Sequence, residues 1–375
     1  MPIWAARSLK ISLALALGWY VLSQIQIHDG IELADGTIVE GQISGNWQES
    51  GWAFQPADPA ILVELAESQP RPGFITLLRG LDPRWYMSGV AYWLLLLLVV
   101  AWRWRLLLKV ARVDCGYWRA MRLCFVGYFF NNVIPGLTGG DVVRAVLVAR
   151  DAKEHRARAA ISVFVDRAIG LLGLLILGAA VLYLSDLGDS IGAHRLSQIR
   201  RGVLSLIAIV FAAAFIFLSQ RLRATFKIDK LLSRLPMGDK VALIDDAITV
   251  YRASPGTLLV ALALSILLQA AGVMCFWAIG NAIGASLNLV DNFAIYPIVQ
   301  TISSLPIAPA GWGIGETLYG RFFAAMGSSF TLGVAVSVLF RLTTQVGFGL
   351  LGALAWAGLK PTSTSTPISN STSEQ

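Results

Sequence analysis

The chain has 375 residues, 56% of them hydrophobic and only 14% charged, with a formal net charge of +7 and a mean hydropathy of +0.65. Soluble domains carry roughly a quarter charged residues, so this composition cannot cover a water-soluble surface and argues against an independent soluble enzyme. The basic surplus does not point to nucleic acid, because the Lys and Arg residues sit beside apolar runs, where they orient a chain in a membrane.

Five runs lack Asp, Glu, Lys and Arg altogether: 11–27, 85–102, 168–185, 202–220 and 342–359. Each approaches the roughly 20 residues that cross about 30 Å of hydrocarbon as a helix. A longer span, 253–290, holds one further crossing and a polar turn near Asn281 and Asn288. Because lipid offers the backbone no hydrogen-bond partners, these runs are expected as helices. The expectation is an all-α integral membrane protein, a polytopic bundle with at least six crossings.

Arg7 and Lys10 precede the first run. It lacks a small-x-small cleavage site, which favours an uncleaved N-terminal transmembrane anchor over 1–27 and a cytoplasmic N-terminus. Residues 28–84 follow as an extracytoplasmic segment, in which Asp35-Gly36 marks a β-hairpin and Trp47, Trp52 and Phe54 cover a small β-subdomain. The second crossing ends in Arg103, Arg105, Lys109 and Arg112, and a second basic cluster spans Arg144 to Arg158. Both clusters favour the cytoplasmic face, yet an apolar stretch interrupted by Asn131, Asn132, Pro135, Gly136, Gly139 and Gly140 lies between them. A re-entrant hairpin reconciles the two, since irregular backbone at membrane depth is tolerated where protein or water covers it.

A helix then runs outward to about residue 184 and its partner returns over 202–220. The basic, Leu-rich stretch 221–244 reads as amphipathic at the headgroups or as a solvated helical hairpin. Residues 292–326 repeat the earlier pattern, with two apolar limbs around Pro306-Ile-Ala-Pro-Ala-Gly-Trp-Gly-Ile-Gly-Glu316. The last helix leads into a Ser/Thr-rich tail, 361–375, expected to be disordered and cytoplasmic. The 85–360 domain therefore reads as helix, hairpin, helix twice in opposite orientations. Inverted repeats with broken helices are the plan of many transporters, and paired Gly/Pro interruptions point to the binding site.

Three groups carry candidate chemistry. The segment Asn131 to Arg144 breaks a helix and restarts it with Asp141 near the new N-terminus, where free N–H groups and the dipole attract anions such as phosphate. The alternative is a Gly-rich turn whose Asp caps a helix and pairs with Arg144. In the second segment, Pro309, Gly311, Gly313 and Gly315 allow close backbone approach before Glu316, which either faces the cleft or caps the second limb. A charge at membrane depth costs about 2.5–3.5 kcal/mol on insertion scales, so both need a reason to be there. The third group is Asp166, Arg167 and Arg341, isolated charges within crossings. They read equally as structural pairs, Arg341 with Glu316 among them, or as Arg167 and Arg341 holding a phosphate headgroup. The candidate substrate-binding set is thus Asn131, Asn132, Pro135, Gly139, Gly140, Asp141, Arg144, Arg167, Pro309, Gly311, Gly313, Glu316 and Arg341. Cys115, Cys124 and Cys275 fit neither disulfide nor metal spacing. No cofactor or metal motif is recognisable.

Three stretches, Asn131-x-x-x-Pro-Gly-x-x-Gly-Gly-Asp-x-x-Arg144, Asp166-Arg-x-x-Gly-Leu171 and Pro306-x-x-Pro-x-Gly-x-Gly-x-Gly-Glu316, resemble the lysylphosphatidylglycerol synthase transmembrane (flippase-like) family. The resemblance spans most of 85–358. It implies a bacterial-type cytoplasmic-membrane protein that moves, or helps present, an aminoacylated or glycosylated lipid. In the synthases a large aminoacyltransferase domain follows this region; the sequence here ends 15 residues after Lys360, so the synthase reaction itself is not expected of it. The implied partner is a membrane phospholipid or glycolipid, with no nucleic acid, and a homo-oligomer or an envelope-biogenesis partner as further expectations. Two rival readings remain open: a membrane-embedded lipid-modifying transferase, and an accessory subunit that docks through 28–84.

Overall fold

The computed structural model describes residues 19–20, 23, 25–33, 37–45, 47, 52–59, 69–133, 139–152, 154–184, 193–218, 249–285, 287–304 and 312–358. The expected anchor helix (apart from a few residues), the segment holding Pro135 and Gly136, the amphipathic stretch 221–244, the segment holding Pro306, Pro309 and Gly311, and the tail lie outside these, as does the side chain of Asn132.

Four short strands come first: β1 (Asp29–Glu32), β2 (Ile38–Ser44), β3 (Ala53–Pro56) and β4 (Gln69–Arg71) form an antiparallel sheet in the order β3-β2-β1-β4. In β1, Glu32 pairs with Ile38 across the hairpin and with Arg71 by an ion pair. Asp29 ties the sheet together, accepting from Gly73 N at 2.7 Å and Ile43 N at 3.1 Å. The sheet is joined to the helices through Gln26, whose N–H donates to Thr331 Oγ1 at 3.0 Å and whose carbonyl accepts from Phe74 N.

The helices follow: α1 (Phe74–Arg79), α2 (Pro83–Val110), α3 (Tyr117–Val133), α4 (Gly139–Asp151), α5 (Arg156–Leu184), α6 (Ala193–Leu218), α7 (Pro255–Ala282), α8 (Leu289–Ser303), α9 (Ile314–Ala325) and α10 (Phe330–Ala357). α2 starts where Asp82 caps the N–H of Arg84 and Pro83 occupies the first turn, a position where proline costs nothing. Asn288 and Ser329 cap α8 and α10 in the same way. α10 is interrupted by a π-helical turn, Leu342–Gly347.

Among the described residues, α2, α5, α7 and α10 are long and apolar enough to cross a membrane. Leu94, Leu98, Leu259, Leu267, Leu350 and Leu354 are exposed on them, as expected of side chains facing lipid. The protein is a multi-pass, mostly helical membrane protein. The polar turn expected near Asn281 and Asn288 separates α7 from α8. The run 202–220 falls in α6, which is not among the four.

α2 and α7 pack closely at Gly89, where a Cβ would stand 2.9 Å from the Ile279 side chain. One core gathers around Phe276, ringed by Tyr296, Tyr319, Phe323 and Phe340. A second surrounds Trp104, Leu107 and Leu108 and reaches Tyr251, whose hydroxyl donates to Leu107 O. The candidate site lies between the helices that supply these two cores.

A charged cavity within the bundle

α3 and α4 pack antiparallel. Arg119 pairs with Asp151 at one end, and Gly140 meets Gly127 near the other. A Cβ on Gly140 would fall 1.9 Å from Gly127 O, so only glycine permits this approach. The Asn131 side chain accepts from Gly140 N at 2.9 Å, supplying a partner for one of the N–H groups that a helix start leaves open. Gly139 and Gly140 are buried, and Asp141 is the third residue of α4, in its first turn.

Asp141 and Arg144 do not form the local pair considered from sequence. Each turns to α5 instead. Arg144 reaches Asp166 Oδ2 at 3.3 Å, and Asp166 Oδ1 accepts from Arg103 Nε of α2 at 3.0 Å. Arg103 also donates to Ser265 of α7 at 2.5 Å. Arg144 stacks over Trp104 at 3.7 Å, and Trp104 Nε1 donates to Ser162. Asp166 therefore lies between two arginines from two other helices, all three nine-tenths buried or more. Asp141 Oδ2 lies 3.8 Å from Arg167 Nε, and the Arg167 side chain is 44% exposed.

Arg103, read from the sequence as one of the residues marking the cytoplasmic face, has its side chain turned into the bundle. It is buried within the seam Leu96, Leu97, Ala101, Arg103, Trp104, Leu107 and Leu108. That spacing was present in the sequence and places position 103 on the packed face. Asp166, noted only as an isolated charge, is the centre of the network.

The second candidate segment builds a matching pair. Gly313 has φ +83°, a left-handed conformation natural to glycine, and its N–H donates to Glu316 Oε2 at 2.7 Å. Glu316 Oε1 is 2.8 Å from Arg341 Nε, and both side chains are 6% exposed or less. Arg341 also faces the Trp312 ring at 5.2 Å. A Cβ on Gly315 would meet the Arg341 guanidinium at 2.3 Å. The capping role of Glu316 and its pairing with Arg341 thus coexist.

A cavity of about 330 Å³ opens beside the first network. Asn131, Asp141, Arg144 and Arg167 from the candidate set line it, together with Arg103 and Asp166; Glu316 and Arg341 do not. The other helices contribute Gln269, Gln300, Ser304, Thr344 and Gln345, none of them in the candidate set. The signal for Gln269 and Gln300 was an amide inside an apolar run. Thr344 and Gln345 belong to the π-helical turn, a feature frequent at functional sites. Arg144 Nε is buried and has no hydrogen-bond acceptor among the described residues. Among the described residues, three arginines against two aspartates leave the lining with one surplus positive charge.

Comparison with known proteins agrees with this architecture. A UPF0104 membrane protein of Methanothermobacter thermautotrophicus is 25% identical over 311 residues, covering 76% of this chain and 86% of the relative. A UPF0104 membrane protein of Pyrococcus horikoshii is 23% identical over 302 residues, covering 75% and 88%. One from Methanocaldococcus jannaschii is 19% identical over 298 residues, covering 76% and 88%. The model of the lysylphosphatidylglycerol synthase TM region matches residues 73–352, and the chain belongs to that family.

Proposed function

We propose that this protein is a lipid translocase that moves an anionic headgroup across the membrane through the cavity beside Arg144 and Arg167 while the acyl chains stay in lipid. The observation that carries the reading is a cavity of surplus positive charge inside an apolar bundle. An intramembrane ionisable cluster has to repay its desolvation, and a substrate pathway is the usual reason for one. Arg167, half exposed at the cavity, is the first phosphate contact, and buried Arg144 is the second. Gly140, with Gly139 buried beside it, lets the start of α4 pack against Gly127, and Asn131, which accepts from Gly140 N, lines the cavity. Gly313 shapes the start of α9; Pro135, Pro309, Gly311 and the side chain of Asn132 lie outside the described residues.

Two re-entrant hairpins in inverted repeats give the pathway its alternation. The helix lengths support this: 28, 17, 13 and 29 residues in α2 to α5 against 28, 15, 12 and 28 in α7 to α10. So does the placement of charge. Asp141 and Glu316 are each the third residue of their short helix, and each pairs with the twelfth residue of the next long one. One pair is open at 3.8 Å and the other closed at 2.8 Å, as two halves of an alternating device differ. The membrane is the cytoplasmic one, with both termini inside, and the archaeal relatives leave the reading free of any tie to bacteria.

The test is headgroup movement of labelled phosphatidylglycerol in proteoliposomes, comparing wild type with the Asp141→Asn/Glu316→Gln variant. Movement that the double variant lowers at least tenfold, at equal amounts of folded protein, supports the reading. Movement unchanged by it refutes the mechanism. A groove of about 460 Å³ on the sheet, lined by His28, Glu40, Gln42 and Gln55, favours the accessory-subunit reading as an alternative. Loss of phenotype on deleting the sheet, with translocation intact, would select it.

A further inference from the structure

The two halves of the bundle line the cavity with different chemistry. Among the described residues, every charged lining residue comes from α2, α4 and α5: Arg103, Asp141, Arg144, Asp166 and Arg167. Among the described residues, the polar lining from α7, α8 and α10 carries no charge, and its two aliphatic hydroxyls are limited to accepting hydrogen bonds. Ser304 Oγ spends its proton on Thr301 O, and Thr344 Oγ1 on Phe340 O, each at 2.7 Å. Gln269 Nε2 donates to Gly170 O at 3.1 Å, which leaves its carbonyl oxygen and its second N–H for the cavity. A hydroxyl with its proton committed has only lone pairs to offer. Such an uncharged wall of amides and hydroxyls suits hydroxyl groups, which both donate and accept.

Of the two carboxylates, Asp166 is fully engaged, while Asp141 Oδ2 has no hydrogen-bond partner among the described residues. Asp166 holds Arg103 and Arg144, and Asp141 faces Arg167. An ammonium group entering the cavity would meet one open carboxylate oxygen, beside Arg167, within a lining whose described residues are net positive. The volume of about 330 Å³ lies at the small end of ligand sites, roughly 300–1,000 Å³, so one compact headgroup fills it.

Resting on the translocase reading, the geometry points to one substrate class: a lipid whose single phosphodiester joins the apolar anchor to a neutral polyhydroxyl headgroup, a polyol or one sugar. The monoanionic phosphodiester cancels the single surplus charge at Arg144 and Arg167, and the hydroxyls face Gln269, Ser304 and Thr344. Aminoacylated headgroups, which add an ammonium, are disfavoured.

The experiment measures affinity of the purified full-length protein for short-chain lipids by displacement of a fluorescent phosphatidylglycerol. Phosphatidylinositol and phosphatidylglycerol are expected to bind at least tenfold more tightly than lysylphosphatidylglycerol or phosphatidylcholine. Gln300→Glu, which places a carboxylate in the uncharged wall, is expected to narrow that preference for phosphatidylglycerol over the lysyl form at least fivefold. Equal or tighter wild-type binding of lysylphosphatidylglycerol overturns the inference, whatever the variant does. Deacylated glycerophosphoinositol separates this inference from the reading beneath it. Binding of the soluble form as tight as that of phosphatidylinositol would remove the lipid reading and leave the charge-and-hydroxyl recognition standing. Selective lipid binding without translocation would likewise sink the transport reading alone.

Discussion

Asp166→Asn is the sharpest test of the network. The substitution keeps size and one acceptor, so any effect comes from the lost charge. Asp166 Oδ1 sits 2.9 Å from one Arg103 nitrogen and 3.0 Å from another, while Oδ2 sits 3.3 Å from Arg144. All three side chains are 8% exposed or less. Removing one partner from a buried ion pair costs about 3–5 kcal/mol, because the charge left behind stays desolvated. Here two arginines are left behind, so the upper end, about 5 kcal/mol, is expected. Asp151→Asn provides the control. Its pair with Arg119 is as short, at 2.8 Å, but its side chains are 36% and 35% exposed, which predicts less than about 1 kcal/mol. Unfolding free energies in micelles, measured by steric trapping for both variants, decide the matter. Adding Arg144→Gln to Asp166→Asn removes one stranded charge and is expected to recover about 1–3 kcal/mol as coupling between touching residues. A cost for Asp166→Asn within about 0.5 kcal/mol of wild type, the range of ordinary surface changes, would refute the buried network.

Three other outcomes follow from the same structure. Gly140→Ala forces its Cβ against Gly127 O, 1.9 Å away on a backbone that has no rotamer to change; overpacking of this kind costs about 1–3 kcal/mol, read as a lower unfolding free energy. Glu316→Gln keeps an acceptor for Gly313 N but strands Arg341, with an expected loss of about 3–5 kcal/mol in the same measurement. Arg167→Gln is expected to leave stability nearly unchanged, because that side chain is half exposed. It should weaken phosphatidylglycerol binding about tenfold or more, the equivalent of losing one charge-assisted hydrogen bond of about 1.5–3 kcal/mol.

The sequence made the helices legible because lipid forces every backbone group to pair within its own segment. The long uncharged runs therefore translate directly into α2, α5, α7 and α10. Asp141 and Glu316 were visible as charges with no solvent to explain them, and the Gly clusters before them announced close approach. The pairing was not legible. Sequence proximity suggested Asp141 with Arg144, but an α-helix that packs on α5 turns both toward Asp166 and Arg167 instead. Arg103 was hidden by its company: beside Arg105, Lys109 and Arg112 it reads as a face marker, and only the buried seam shows it turned inward. The uncharged wall of Gln269, Ser304 and Thr344 was hidden for another reason. Single polar residues in apolar helices are common, and what unites these three is a cavity that forms only when α7, α8 and α10 converge.

The central claim, that the Arg167 cavity is a headgroup pathway, is tested most directly by one rate. Proteoliposomes holding equal amounts of folded wild type or Arg167→Gln protein are loaded with phosphatidylglycerol labelled on its headgroup side, and transfer between leaflets is followed by chemical quenching from outside. The account predicts rapid transfer by wild type and at least a tenfold slower rate for Arg167→Gln. Wild-type transfer no faster than in protein-free vesicles, or equal rates for the two proteins, would contradict it.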